Sequence, residues 1–221
     1  MAASPVTVGD HYSRSRIRLT ELLATIDVES WERPVVACPG WRVRDVVAHL
    51  FGNTEDALAG RLTGPPLPEQ TAEQVARHLD DDPVEMLQAW NQAADSFEEV
   101  ITQLEAWPAA IDVITHEHDI RAALDRPEGR DDESVRFFAA MLLERLELPV
   151  PLTVVADGET LLGPPAGEAL LTLETTAFEI LRFRLGRRTR GQVEALRWSG
   201  DPTPVLDHLF VFGPAAHSIS E

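Results

Sequence analysis

Two histidines and three acids crowd into the nine residues DVITHEHDI, positions 112–120. On a helix, which turns 100° per residue, His116 lies about 40° from Asp112 and Asp119 about 20° to the other side. An acid and an imidazole one turn apart can fill two coordination positions of a metal ion from one rigid element. His118 points about 200° from His116, so it cannot join that cluster. Glu117 and His118 are expected on the flank and the outer face. The zincin pattern H-E-x-x-H fails because Ile120 stands where its second histidine would be. The chemically useful pattern is therefore D-x-x-x-H, Asp112 with His116.

A metal that does chemistry needs a third protein ligand, with a position left for water or substrate. His49 is the best candidate: in WRVRDVVAHLFGNTEDALAGRL (41–62) it is bordered by Val46, Leu50, Asn53 and Ala57, so it faces inward. Helices packed about 8–10 Å apart can aim such side chains at one point between them. The same residues also read without a metal. An inward histidine on an apolar face is often a hydrogen-bonded core residue, and an i,i+4 Asp–His pair is often a local hydrogen bond. Asp119 is expected to orient a ligand rather than to bind metal. Cys38 precedes the His49 helix, and His49 lies about 12 Å along its axis, so the thiol is expected to be a small buried filler. No G-x-S-x-G, P-loop or G-x-G-x-x-G occurs, so serine-hydrolase, nucleotide-triphosphate and dinucleotide chemistry have no support.

The elements that must position these residues are helical. Apolar residues recur at helical spacing over 10–28, 41–62, 83–106, 109–125 and 132–147, and the proline-bearing TGPPLPEQ (63–70) reads as a loop. At LELPVP (146–151) the texture changes. LTVVADGETLLGPP predicts a strand, an Asp157-Gly158 turn and a second strand, and ALLTLETT a further strand. Helical stretches follow over 176–185 and 189–197, and a short helix closes the chain. The expectation is a helical domain over 1–148 and a smaller α+β domain over 149–221.

Composition bounds the partners. With 19 Arg, no Lys and 37 acids the net charge is −18, which repels nucleic acid and anionic membrane surfaces. The longest apolar stretch, FFAAMLL (137–143), is too short to span a bilayer, and the N-terminus has no signal-peptide core. A single cysteine excludes an internal disulfide framework. These features suit a reduced, cytoplasmic protein that acts on a small molecule as a monomer or homodimer.

Two segments in combination carry a family resemblance. CPGWRVRDVVAHL (38–50) and DVITHEHDIRAAL (112–124) resemble the metal-binding helices of the mycothiol-dependent maleylpyruvate isomerase family, within the DinB-like superfamily. FRLGRRTRGQVEALRWSGDP (183–202) is similar to the C-terminal domain often attached there. The resemblance implies an α+β protein: a DinB-like four-helix bundle followed by a small, sterol-carrier-like domain. It implies a divalent metal, usually zinc, held by His49, Asp112 and His116, and mycothiol as the thiol that adds to an electrophilic small molecule. Asp112 stands where the family's isomerases carry Glu, and His118 where Trp is common. Arg187, Arg188 and Arg190 of GRRTR could meet an anionic substrate from the second domain, and read equally as a solvated basic turn. A superfamily hydrolase using metal-bound hydroxide, or a non-catalytic module on the same bundle, are the competing implications.

Overall fold

The computed structural model describes residues 6–164 and 169–221, which fall into two compact units divided between Arg126 and Pro127. Among its described residues the first holds a short 3-10 turn at Glu29–Glu32 and five α-helices: α1 (Val8–Leu23), α2 (Val43–Leu58), α3 (Pro68–Arg77), α4 (Pro83–Gln103) and α5 (Trp107–Ala123). Local chemistry sets their starts. Thr7 and Asp10 form a reciprocal capping box on α1. The Asp82 carboxylate accepts from the Val84 and Glu85 amides at the head of α4, where Pro83 fits because its missing N–H would have no partner.

Helices α1, α2, α4 and α5 make the bundle, and α3 lies against α2. The core is apolar around Leu19, Val46, Val47, Ala94, Val113 and Ile114. It also holds one fully satisfied polar knot, in which the Trp90 indole donates to the Tyr12 and Thr54 hydroxyls at 3.0 and 3.1 Å. Burial pushes the Tyr12 phenol far above its ordinary pKa, against the pull of its Thr54 and Trp90 hydrogen bonds, so it stays neutral.

Helix α3 departs from the sequence expectation of a loop over 63–70. Pro68 opens the helix instead of ending a neighbour, because a proline in the first turn removes no hydrogen bond.

The second unit contains α6 (Glu133–Glu144), β1 (Leu152–Ala156), β2 (Glu159–Leu162), β3 (Leu171–Thr175), α7 (Ala177–Arg184), α8 (Arg190–Glu194), β4 (Arg197–Trp198) and α9 (Thr203–Leu206). Its sheet runs β2-β1-β3-β4, with β1 and β3 parallel and both outer pairs antiparallel. The β1–β2 turn is the expected Asp157-Gly158, both residues at positive φ. The boundary between units lies at 126/127, earlier than the expected 148, because α6 packs on α7 and β2. Phe138, Leu143, Ile180, Leu181 and Phe183 are fully buried there. The helical stretch expected over 189–197 is cut to α8, since Arg197 and Trp198 join the sheet opposite Glu174 and Leu173. Among the described residues, no helix is long and apolar enough to cross a membrane.

Candidate metal centre

Helix α5 runs buried round most of its circumference, from Ala110 to Arg121, so nearly every polar residue on it must find a partner inside the protein. The three residues singled out by spacing come together. Asp112 Oδ2 lies 3.3 Å from His49 Nε2, and Asp112 Oδ1 lies 3.5 Å from His116 Nε2. One potential ligand atom from each lies within 4.8 Å of the others. The imidazole centroids are 5.4 Å apart and nearly perpendicular.

The surrounding hydrogen bonds fix where the protons are. The Asp56 carboxylate only accepts, so the Gln74 amide nitrogen must face it, at 2.8 Å, and that nitrogen also donates to Asn53 Oδ1 at 2.9 Å. The Gln74 oxygen is thereby turned to His49, whose Nδ1–H donates to it at 2.9 Å. Asp119, fully buried, accepts from His116 Nδ1–H at 3.0 Å. With Nδ1–H so committed, each imidazole turns its Nε2 lone pair toward the Asp112 carboxylate. The Asn53 amide donates to Asp112 Oδ2 at 3.0 Å, which steadies the acid, and makes a longer contact of 3.4 Å with His49 Nε2. Lone pairs facing a carboxylate repel unless a positive charge lies between them, either a proton or a cation. At His49 burial disfavours the charged ring, but the Asp112 charge, with hydrogen bonds to Asp112 and Gln74, outweighs it and raises the pKa, so this ring holds a proton more readily than a free imidazole.

This donor set suits a divalent cation. Two neutral imidazoles and one carboxylate are common ligands of catalytic zinc, and each histidine's other nitrogen is tied down by an acceptor. The imidazoles are buried, whereas the Asp112 side chain is 31% exposed, so the cluster opens to solvent on the aspartate side. The Trp41 ring stands 5.4 Å from His49 and 6.4 Å from His116, a wall along the remaining edge.

Several residues lie where sequence reasoning did not put them. Gln74, the proton-fixing partner of His49, sits on the unexpected α3. Its approach depends on Gly52, where a Cβ would fall 2.6 Å from Gln74 Cβ. A glycine inside an otherwise good helical stretch was the available signal for that close approach. Cys38 is no remote filler: its Sγ lies 3.7 Å from His116 Nδ1 and 3.5 Å from Asp119 Oδ2. The tight turn that carries it, closed by Cys38 N to Val35 O and Trp41 N to Cys38 O, brings the thiol to α5, which distance along α2 alone could not reveal.

Glu117 and His118 are buried, not on a flank and an outer face, because α1 as well as α2 packs against α5. Glu117 receives Arg18 on both oxygens, at 2.9 and 2.8 Å, and Arg121 at 3.0 Å.

The three arginines lie in the second unit among its own groups. Arg188 meets Glu179 and Glu221, whose charges outweigh burial and hold its pKa up. Arg190 meets Asp207 and Glu194, and Arg187 donates to the Leu185 carbonyl.

Residues 12–127 match the family model of the mycothiol maleylpyruvate isomerase N-terminal domain. Among solved structures, the chain is similar to a crystal structure of the mycothiol-dependent maleylpyruvate isomerase, with a TM-score of 0.51 at 15% identity. It is similar to a mutant of that enzyme, with a TM-score of 0.52 at 14% identity. Each likeness covers 88% of this chain and 92% of the other, and at such identities it is one of fold. No curated protein matches the chain.

Proposed function

Because the chain belongs to the family of the mycothiol maleylpyruvate isomerase N-terminal domain, we propose that it is a metal-dependent thiol transferase or isomerase. In this reading His49, Asp112 and His116 hold a divalent cation, zinc, and mycothiol adds there to an electrophilic small molecule. The observation that carries the proposal is the convergence of two imidazole Nε2 atoms on one carboxylate, with both Nδ1 atoms hydrogen-bonded to Gln74 and Asp119.

Each residue's part follows from its position. His49 and His116 donate as neutral ligands, and Asp112 supplies the only negative charge of the set, so the site keeps net positive charge with a divalent ion bound. That ion supplies the field that lowers the pKa of a thiol at its open position, so that the thiolate dominates near neutral pH. Gln74 and Asp119 accept the Nδ1 hydrogens and so aim the Nε2 atoms at the cation. Asn53 holds the Asp112 carboxylate in place. Trp41 walls off one side, and the exposed edge of Asp112 leaves the other for thiol and substrate. A net charge of −18 favours a small-molecule partner over nucleic acid, and the cytoplasm is where we place this chemistry.

The test is consumption of mycothiol by the zinc-loaded protein with an electrophile such as maleylpyruvate, beside a reaction lacking thiol. Thiol-dependent turnover that disappears in His49→Ala is expected. Turnover that proceeds equally without thiol would assign the site to hydrolysis and overturn the proposal.

A further inference from the structure

On the other face of His116 a second donor set is already assembled, and we propose that Cys38, His116 Nδ1 and Asp119 form an alternative cation site, selective for thiophilic metals, that cannot be filled together with the first. Its triangle has edges of 3.0 Å (His116 Nδ1 to Asp119 Oδ2), 3.5 Å (Cys38 Sγ to Asp119 Oδ2) and 3.7 Å (Cys38 Sγ to His116 Nδ1). A tetrahedral ion with a metal–sulfur bond of about 2.3 Å and metal–nitrogen or –oxygen bonds of about 2.0–2.2 Å sets its donors about 3.3–3.7 Å apart. The three atoms thus stand close to ligand spacing before any ion arrives. His116 and Asp119 are buried and Cys38 is half-buried, so the thiol side offers a way in.

Charge supports the same assignment. With Cys38 as thiolate and Asp119 ionised, two negative donors neutralise a divalent cation, which is what a nearly enclosed position requires. The first set carries one carboxylate and lies open at Asp112. A thiolate beside imidazole favours soft cations such as cadmium over hard ones.

The protons account for the mutual exclusion. Asp119 now accepts from both the Cys38 thiol and His116 Nδ1–H. On binding, the thiol proton leaves to solvent, and the imidazole proton shifts from Nδ1 to Nε2, so His116 stays neutral and one proton is released per cation. The new Nε2–H faces Asp112 Oδ1, 3.5 Å away, and can no longer serve as a ligand there. A neutral imidazole has one lone pair to give, so a soft cation at Cys38 dismantles the site made with His49.

The experiment is a cadmium titration of the metal-free, full-length protein, following the ultraviolet thiolate-to-cadmium charge-transfer band. The band is expected to saturate stoichiometrically in the wild type, to persist in His49→Ala, and to vanish in Cys38→Ser, with cadmium affinity weakened at least about tenfold. Absence of the band in folded wild type, or its loss in folded His49→Ala, would overturn the proposal. Should Cys38→Ser fold poorly by circular dichroism, Cys38→Ala replaces it, and the wild-type band alone still decides whether the thiol binds. Thiol turnover plays no part in this readout, so its failure is separate from failure of the function proposed above.

Discussion

Replacing Gln74 by Leu removes the acceptor of His49 Nδ1–H and leaves a buried donor facing a hydrocarbon. The same change takes a donor from Asp56, which keeps Arg61 and Arg77 at 2.6–2.8 Å, and one from Asn53 Oδ1. An unsatisfied buried donor costs about 1–3 kcal/mol. The imidazole can escape that cost by moving its proton to Nε2, and doing so occupies the lone pair that faces Asp112. Either way the metal-binding form of His49 is penalised. Loss of such an outer partner weakens metal affinity about 10–100-fold, or about 1.4–2.8 kcal/mol. The assay is a zinc dissociation constant by chelator competition at neutral pH, with circular dichroism as the folding control. Gln74→Glu keeps an oxygen toward His49, so it should retain more of the affinity than Gln74→Leu does. A folded Gln74→Leu protein that binds zinc as tightly as wild type refutes the proton assignment and the role given to α3.

Gly52→Ala drives a methyl to 2.6 Å from Gln74 Cβ and 3.3 Å from its Cα. Overpacking of about 1–3 kcal/mol, offset by about 1 kcal/mol of helix propensity, leaves a net loss of up to about 2 kcal/mol, to be read in thermal unfolding. Glu117→Gln withdraws the carboxylate from Arg18 and Arg121 inside the bundle, and a loss of about 3–5 kcal/mol is expected in denaturant titration. In the metal-free protein the raised His49 pKa stabilises the fold fully below its unfolded value of about 6.5 and ceases to do so as pH rises through the higher folded value. Zinc must displace that proton, so zinc affinity should climb over the same range, as competition assays at stepped pH will show. Asp45 and Asp56 behave oppositely. Burial raises each pKa, but the Arg42 bonds to Asp45, and those of Gln74, Arg61 and Arg77 to Asp56, more than offset it. Their stabilisation is complete above about pH 3.9 and is lost as pH falls through the lower folded values, visible as an acid unfolding limb.

The candidate centre was legible in the sequence where it depended on one helix at a time. Asp112, His116 and Asp119 are related by the turn of α5, and His49 by the apolar border of α2, so spacing alone put them on facing surfaces. What a single helix cannot show was missed. Gln74 lies in 71–82, which the periodicity assigns to no element, just beyond prolines that read as a loop over 63–70, although Pro68 opens a helix. Distance along α2 separates Cys38 from the cluster, whereas its turn doubles back to α5. Glu117 and His118 read as outward only for a helix with one buried face, and α5, packed against both α1 and α2, is buried beyond that face. The grouping of α6 with α7 and β2 is likewise a matter of packing partners, on which periodicity within α6 is silent.

The central claim is that His49, Asp112 and His116 together hold one divalent cation. Elemental analysis after equilibration with zinc and removal of excess tests it most directly, on wild type, His49→Ala, Asp112→Asn and His116→Ala. The account predicts zinc in stoichiometric amount in the wild type and its loss in each folded variant. Wild-type protein that retains no zinc, or variants that keep it undiminished, would contradict it.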